Sequence, residues 1–111
     1  MAETFKNFNL DMGTDFSATP AYTCPASTIA VVLHLQVANV DGTNAAYAYV
    51  DWTDDSSSDK VVYLANKVSV PAETALSVLT GKLVLEAGDT INAKASAASD
   101  LQLSGSVLEI S

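Results

Sequence analysis

The side chains that could carry chemistry in this 111-residue chain are few: one histidine, one cysteine and a run of acids beside the single tryptophan. His34 lies inside an apolar run, Val31-Val32-Leu33-His34-Leu35, with no nucleophile-elbow motif and no glycine-rich loop nearby. It reads as a surface or interface histidine of a strand, not as the base of a Ser-His or Cys-His pair. Cys24 precedes Pro25 and has no basic neighbour to lower its pKa, so it reads as an unreactive thiol. Asp51, Asp54, Asp55 and Asp59 crowd one loop, and oxygen-rich loops of this kind hold hard cations. Their spacing lacks the glycine and the closing glutamate of the twelve-residue calcium loop, and a solvated acidic turn is the simpler reading. No metal and no cofactor is expected. Trp52 with Tyr22, Tyr47, Tyr49 and Tyr63 offers planar faces on which sugars can stack, although such rings are also ordinary sheet and interface residues. Trp52, next to the acidic loop, is the one expected to be exposed. Nothing sets two carboxylates across a cleft, and no enzyme activity is expected.

Composition narrows the partner classes. Five basic residues against thirteen acidic ones give a net charge of −8, which disfavours a phosphate backbone and removes nucleic acid from consideration. One cysteine allows no internal disulfide, so added stability must come from packing or association. The start Met1-Ala2-Glu3-Thr4 lacks a basic and then apolar segment, so no export signal is expected. The apolar stretch from Ile29 to Val40 is too short and too often interrupted to cross a bilayer, and no membrane association is expected.

The elements that would position these residues are strands. Ile29, Val31, Leu33, Leu35 and Val37 alternate with Ala30, Val32, His34, Gln36 and Ala38, which predicts a strand with the first set on its buried face. Asp41-Gly42 predicts a turn into a second strand, Ala45 to Trp52, closing a hairpin. Thr53 to Asp59 reads as a loop, Lys60 to Ala65 as a third strand, and Lys67 to Val70 as a brief one stopped by Pro71. Short strands follow at Ala75 to Leu79, Lys82 to Leu85 and Thr90 to Ala95, although Pro71 to Leu79 can also be drawn as a short helix. Along Leu101 to Ile110 the apolar parity changes, and a bulge at Gly105 would reconcile Leu101 and Leu103 with Leu108 and Ile110. Lys60, Lys67, Lys82 and Lys94 fall at or near strand ends, where they would protect edges. The expectation is a single all-β domain, a compact antiparallel sandwich or barrel-like sandwich of seven or eight short strands over residues 27–111. Residues 1–26 read as an N-terminal arm or edge segment. It holds all three phenylalanines, Phe5, Phe8 and Phe16, which must dock on this chain or on a neighbour.

Four segments carry a resemblance over about three quarters of the chain: "VLHLQVANVDG" at Val32 to Gly42, "VVYLANKVSVPA" at Val61 to Ala72, "LTGKLVLEAGDTINAKASA" at Leu79 to Ala97, and "SGSVLEIS" from Ser104. In these the chain resembles small β-rich virion structural proteins of tailed bacteriophages. The resemblance implies a capsid decoration, neck or tail accessory protein, made in the host cytoplasm and resident in the virion. Its implied partners are other virion proteins, such as major capsid or neck proteins, and further copies of itself in a symmetric homo-oligomer. It brings no binding-residue motif. Phe5, Phe8, Phe16 and Trp52 are the partner-binding candidates on the residues alone. The competing readings are a carbohydrate- or receptor-binding accessory domain using Trp52, and, more distantly, a hydrolase.

Overall fold

A computed structural model describes residues 2–15 and 20–111. Among the described residues nine strands follow in order: β1 (Glu3–Asp11), β2 (Tyr22–Thr23), β3 (Ile29–Asn39), β4 (Ala46–Asp54), β5 (Lys60–Val70), β6 (Ala75–Ser77), β7 (Leu83–Leu85), β8 (Thr90–Ala95) and β9 (Leu101–Ile110). They form two antiparallel sheets. The first runs β1-β9-β3, with β6 and β7 both pairing the far edge of β3; the second runs β2-β8-β4-β5. The all-β sandwich expected from the short alternating segments is the fold. Segment 71–79, for which a helix was the alternative, contains strand β6, paired to β3 through Gln36, Val37 and Ala38.

The core lies between the sheets. Ala30, Val32, Leu35, Val37, Leu85, Leu101, Leu103 and Val107 from the first sheet meet Ala46, Ala48, Val50, Val70, Ile91 and Ala95 from the second. Alanine is frequent on the second sheet's inner face, which lets the two layers approach closely and makes the larger residues opposite them the main source of buried apolar area.

Three expectations about local geometry are corrected. The β3 and β4 strands are not a hairpin: they lie in different sheets, and the Asp41-Gly42 segment is a corner between layers. The reason is Asn39, almost fully buried at the end of β3, whose Nδ2 donates to the Val70 carbonyl of the second sheet at 2.9 Å and to the Asn44 carbonyl at 3.0 Å. Its Oδ1 accepts the Asp41 N–H at 2.8 Å, so one side chain satisfies the corner's backbone and ties it across the sandwich.

The bulge expected at Gly105 is instead in β3. Val32 faces Val107 and His34 faces Ser106, so Leu33 is the extra residue. The alternation of β9 is unbroken, with Leu101, Leu103, Gly105, Val107 and Glu109 all inward. In consequence β3 changes face midway. Ala30 and Val32 point inward before the bulge and Leu35, Val37 and Asn39 after it, whereas Ile29, Val31, Leu33 and His34 point out. Finally, the two pieces read at Lys60 to Ala65 and Lys67 to Val70 are one strand, β5, kinked at Asn66-Lys67, where two residues oppose Tyr49 and Lys67 takes a φ of 57°.

Residues 1–26 contribute β1 and β2. β1 is an edge strand paired with β9 along its whole length, from Glu3 opposite Ile110 to Asp11 opposite Gln102. Gly105 explains how it is seated. Phe8 lies directly across from Gly105, and a Cβ there would stand 2.3 Å from Phe8 Cζ. The ring therefore rests on bare backbone and reaches Tyr22 of the second sheet, ring centroids 5.3 Å apart. Beside it Glu109, buried on the inner face, accepts the Tyr22 hydroxyl and pairs with Lys6 Nζ at 2.9 Å. Gly105→Ala expels the Phe8 ring and should cost about 1–3 kcal/mol of stability. In a double-mutant cycle with Phe8→Ala, measured by chemical denaturation, the two losses should fall well short of additive.

Candidate functional site

The bulge in β3 puts apolar side chains on the solvent side of the first sheet. Phe5, Leu108, Val31 and Val84 are register partners across β1, β9, β3 and β7, and they form one continuous outer row. Ile110 and Ile29 are partners in the adjacent row, and Leu33, the bulged residue, is exposed on the other side of the Phe5 row. Phe5 is 74% exposed, Val84 54% and Ile29 49%. Past the strand ends lies a groove of mixed lining, Ile29, Ile110 and Ala87 with Ser27, Thr28 and Glu86. The other end of the same face is polar, with Asn9, Ser104 and Gln36 in one row and Asp11 and Gln102 in the next. Isolated exposed hydrophobics are ordinary, whereas this row is contiguous across four strands.

The described candidates from the sequence, Phe5, Phe8 and Trp52, do not converge. Phe5 stands on the outer face of the first sheet, while Phe8 points inward against Tyr22 and Gly105. Phe16 lies outside the described residues. Trp52, expected at the surface, pairs with Ile91 on the inner side of the second sheet and packs against the core. The exposed rings of that sheet are Tyr47 and Tyr63. Lys67 and Lys94, read as edge guards, extend over aromatic faces: Lys67 Nζ is 5.3 Å from the Tyr47 ring centroid and Lys94 Nζ 4.8 Å from that of Tyr49.

The acidic loop is likewise rearranged. Asp51 belongs to β4, only 3% exposed, and accepts a bond from Asn92 Nδ2 at 3.0 Å. Burial pushes its carboxyl above the usual carboxylate range, partly offset by that hydrogen bond. Asp54 instead approaches Glu86 and Asp89, with carboxylate oxygens within 4.8 Å of one another. Both Asp89 oxygens are engaged, accepting the N–H groups of Asp55 and Glu86 at 2.9 Å each, and Ser56 Oγ donates to Asp54 Oδ1. These carboxylates pin the β4–β5 loop to the β7–β8 turn.

His34 is exposed on the flat outer face with Leu33, Leu35 and Ser106 as strand and cross-strand neighbours. Cys24 is buried, its Sγ within 3.3 Å of the Thr28 carbonyl, and burial with the fields of Asp89 and Glu109 raises the thiol pKa. A nucleophile would need the opposite shift. Glu109 is held below the usual carboxylate range by the Tyr22 hydroxyl and then by Lys6. Among the described residues no helix is long and apolar enough to cross a membrane.

The sequence did hold a signal for the apolar end. Apolar residues occupy both parities of Ile29 to Leu33, and Leu108 and Ile110 break parity with Leu101 and Leu103. A strand apolar on both sides is one expected to be covered on both sides.

No protein-family profile matches the chain, and no curated protein is similar to it in sequence. Similar solved structures include a chain of Bacillus endospore appendages, which form disulfide-linked pili, at 12% identity and a TM-score of 0.54, covering 98% of this chain and 88% of that one. They also include two structures of a pentameric capsid protein isolated from metagenomic phage sequences, each at 24% identity and a TM-score of 0.43. There 93% of this chain is covered, and it spans 60% and 58% of the capsid chains. These neighbours are structural proteins, and the likeness to the appendage chain is one of fold.

The raised carboxyl of Asp51 has a thermodynamic sign. The folded state binds its proton more tightly than the unfolded chain, so the group costs stability at neutral pH and the cost is relieved as pH falls through the folded pKa. Asp51→Asn should therefore raise Tm at neutral pH, with the gain shrinking in acid, as followed by thermal melts across pH.

Proposed function

We propose that the protein is a non-catalytic structural subunit of a bacteriophage virion, a capsid decoration or neck accessory protein that stabilises the particle through protein–protein contacts. The observation that carries this reading is the outer apolar row Phe5–Leu108–Val31–Val84, exposed at both ends and half-buried in the middle. A solvent-facing row of that length is costly unless covered, and a protein surface covers it. The sequence resemblance to small β-rich virion proteins supplies the setting.

The first occupant of the face is a second copy of this chain. Across the row Glu3–Ile110–Ile29 and the Phe5 row, Glu3 is the single charged side chain, in a molecule of net charge −8. Like-charged copies repel almost everywhere else, and this end of the first sheet is where they can approach. β1 takes part twice, offering Phe5 on its face and its free edge for strand addition, so residues 1–26 act as the contact-bearing segment. Repetition on a lattice then multiplies weak contacts through effective concentration.

Assembly through interchain disulfides does not suit this chain. One cysteine can join two copies but cannot propagate a polymer, and the Cys24 thiol is buried.

The double variant Phe5→Asp/Val84→Asp tests the reading. Sedimentation of the purified protein should shift from oligomer to monomer, and incorporation into particles should fall at least tenfold. Tm should hold, because both positions are exposed and such substitutions usually change stability by within about 0.5 kcal/mol. Retention of the oligomer and of incorporation in the variant would refute it.

A further inference from the structure

The edges of the two sheets are guarded unequally. β6 and β7 hold three residues each and β2 two, too short to template a further strand. β5 is long, but it is kinked at Asn66-Lys67 and carries Lys60 and Lys67. β1 has none of these devices. Its nine residues pair with β9 in unbroken register and include no proline or glycine, and its one lysine, Lys6, is held on Glu109 at 2.9 Å.

β1 also presents an ordered set of backbone groups. Ala2 and Ser111 exchange both backbone bonds, at 3.0 and 2.9 Å, and the Met12 N–H donates to the Leu101 carbonyl at 2.9 Å. Bonding alternates along an antiparallel strand, so the even-numbered residues face β9, and Glu3, Phe5, Asn7, Asn9 and Asp11 turn their N–H and C=O groups away from it. Among the described residues no strand lies on that side.

We infer that β1 pairs antiparallel with β1 of a second copy about a two-fold axis at Phe5, joining the two first sheets into one. This rests on the reading that copies of the chain meet at the apolar end of that sheet, and it adds the edge, the symmetry and the register. Charge selects the register. An axis at Asn7 would align all of β1 but oppose Glu3 to Asp11 twice, and an axis at Lys6 would oppose the two lysines. Axes at Thr4 or Phe8 would set Phe5 against Glu3 or Asp11. With the axis at Phe5 no like charges are opposed: Glu3 faces the partner's Asn7, Thr4 faces the partner's Lys6, and Phe5 faces the partner's Phe5. The residues that then exchange bonds are Glu3, Phe5 and Asn7, whose backbone groups point outward. Phe5, 74% exposed, ends the row that runs through Leu108 and Val31 to Val84, so the two rows become one apolar band across the axis.

An isotope-filtered NOE spectrum of an equal mixture of labelled and unlabelled full-length chain tests the register. Thr4 Hα should contact Lys6 Hα of the other chain, because α protons meet at the pairs that exchange no bonds. Asn7→Pro removes an N–H that β9 does not use, and Asn7→Asp opposes a like charge to the partner's Glu3. By sedimentation the first should weaken the dimer at least about tenfold and the second about threefold, with Tm held. If Asn7→Pro lowers Tm, Asn7→Asp and the NOE decide. Both Asn7 variants leave the apolar row whole, which separates the two readings. Self-association that survives Asn7→Pro and Asn7→Asp but not Phe5→Asp/Val84→Asp would overturn the edge pairing and leave the face contact standing. Dimers lost in the Asn7 variants with particle incorporation unchanged would support the pairing and count against the virion role. A wild-type monomer at all concentrations, or interchain contacts of Lys6 with Lys6 or with Phe8, would overturn the pairing at Phe5.

Discussion

One extra residue in the middle of β3 decides which side of the first sheet is dry. With Leu33 inserted between Val32 and His34, the first half of the strand sends Ala30 and Val32 inward and the second half Leu35 and Val37. Without it, a strand of strict period two would bury either Ile29, Val31 and Leu33 or His34 and Gln36, and one half would be misplaced whichever register were chosen. The bulge lets both halves place medium-sized aliphatic residues in the core. It leaves a surplus of apolar side chains outside, opposite Leu108 and Val84. The exposed row is therefore not a packing defect but the other half of the solution by which β3 fits its own sandwich.

A second constraint holds the edge. β1 contributes Phe5 to the outer row and Phe8 to the inner side, three residues apart on opposite faces of one strand. Its seat depends on the missing side chain of Gly105, and Tyr22, Glu109 and Lys6 then clamp the site across both sheets. Glu109's lowered pKa means that this clamp stabilises the fold above the unfolded carboxyl pKa and lets go as pH falls through the folded one. The same strand that carries Phe5 of the outer row is thus fastened to the core by a small polar network. The second sheet carries a face of another kind, in which tyrosines, lysines, threonines and one buried acid replace the aliphatic row.

Much of this was legible in the chain. Alternation marks the strands from β3 onward but not β1 or β2, which lie in the segment read as an arm or edge; Pro71 marks the end of β5, and Ile91, Ala93 and Ala95 share one face as expected. What failed were inferences from local pattern to partner. Asp41-Gly42 has the composition of a hairpin turn, yet Asn39 turns it into a corner through a bond to Val70, thirty-one residues away. The parity break in β9 was read correctly as a conflict and assigned to the wrong strand, since a bulge in β3 resolves it equally well. Trp52 illustrates a different limit. Proximity to an acidic loop suggested exposure, whereas cross-strand pairing with Ile91 sets its direction. Asp51, grouped with its acidic neighbours by sequence, is separated from them because it lies inside β4, whereas Asp54 ends that strand and Asp55 and Asp59 follow it.

The account turns on the claim that the apolar end of the first sheet is covered by protein in an assembled particle. Imaging intact phage particles that carry this chain, at a resolution sufficient to trace its strands, tests that directly. The account predicts repeated copies on the shell or around the neck, with Phe5, Val31 and Val84 buried against a neighbouring chain. Absence of the chain from the particle, or copies whose Phe5–Val84 row faces solvent, would contradict it.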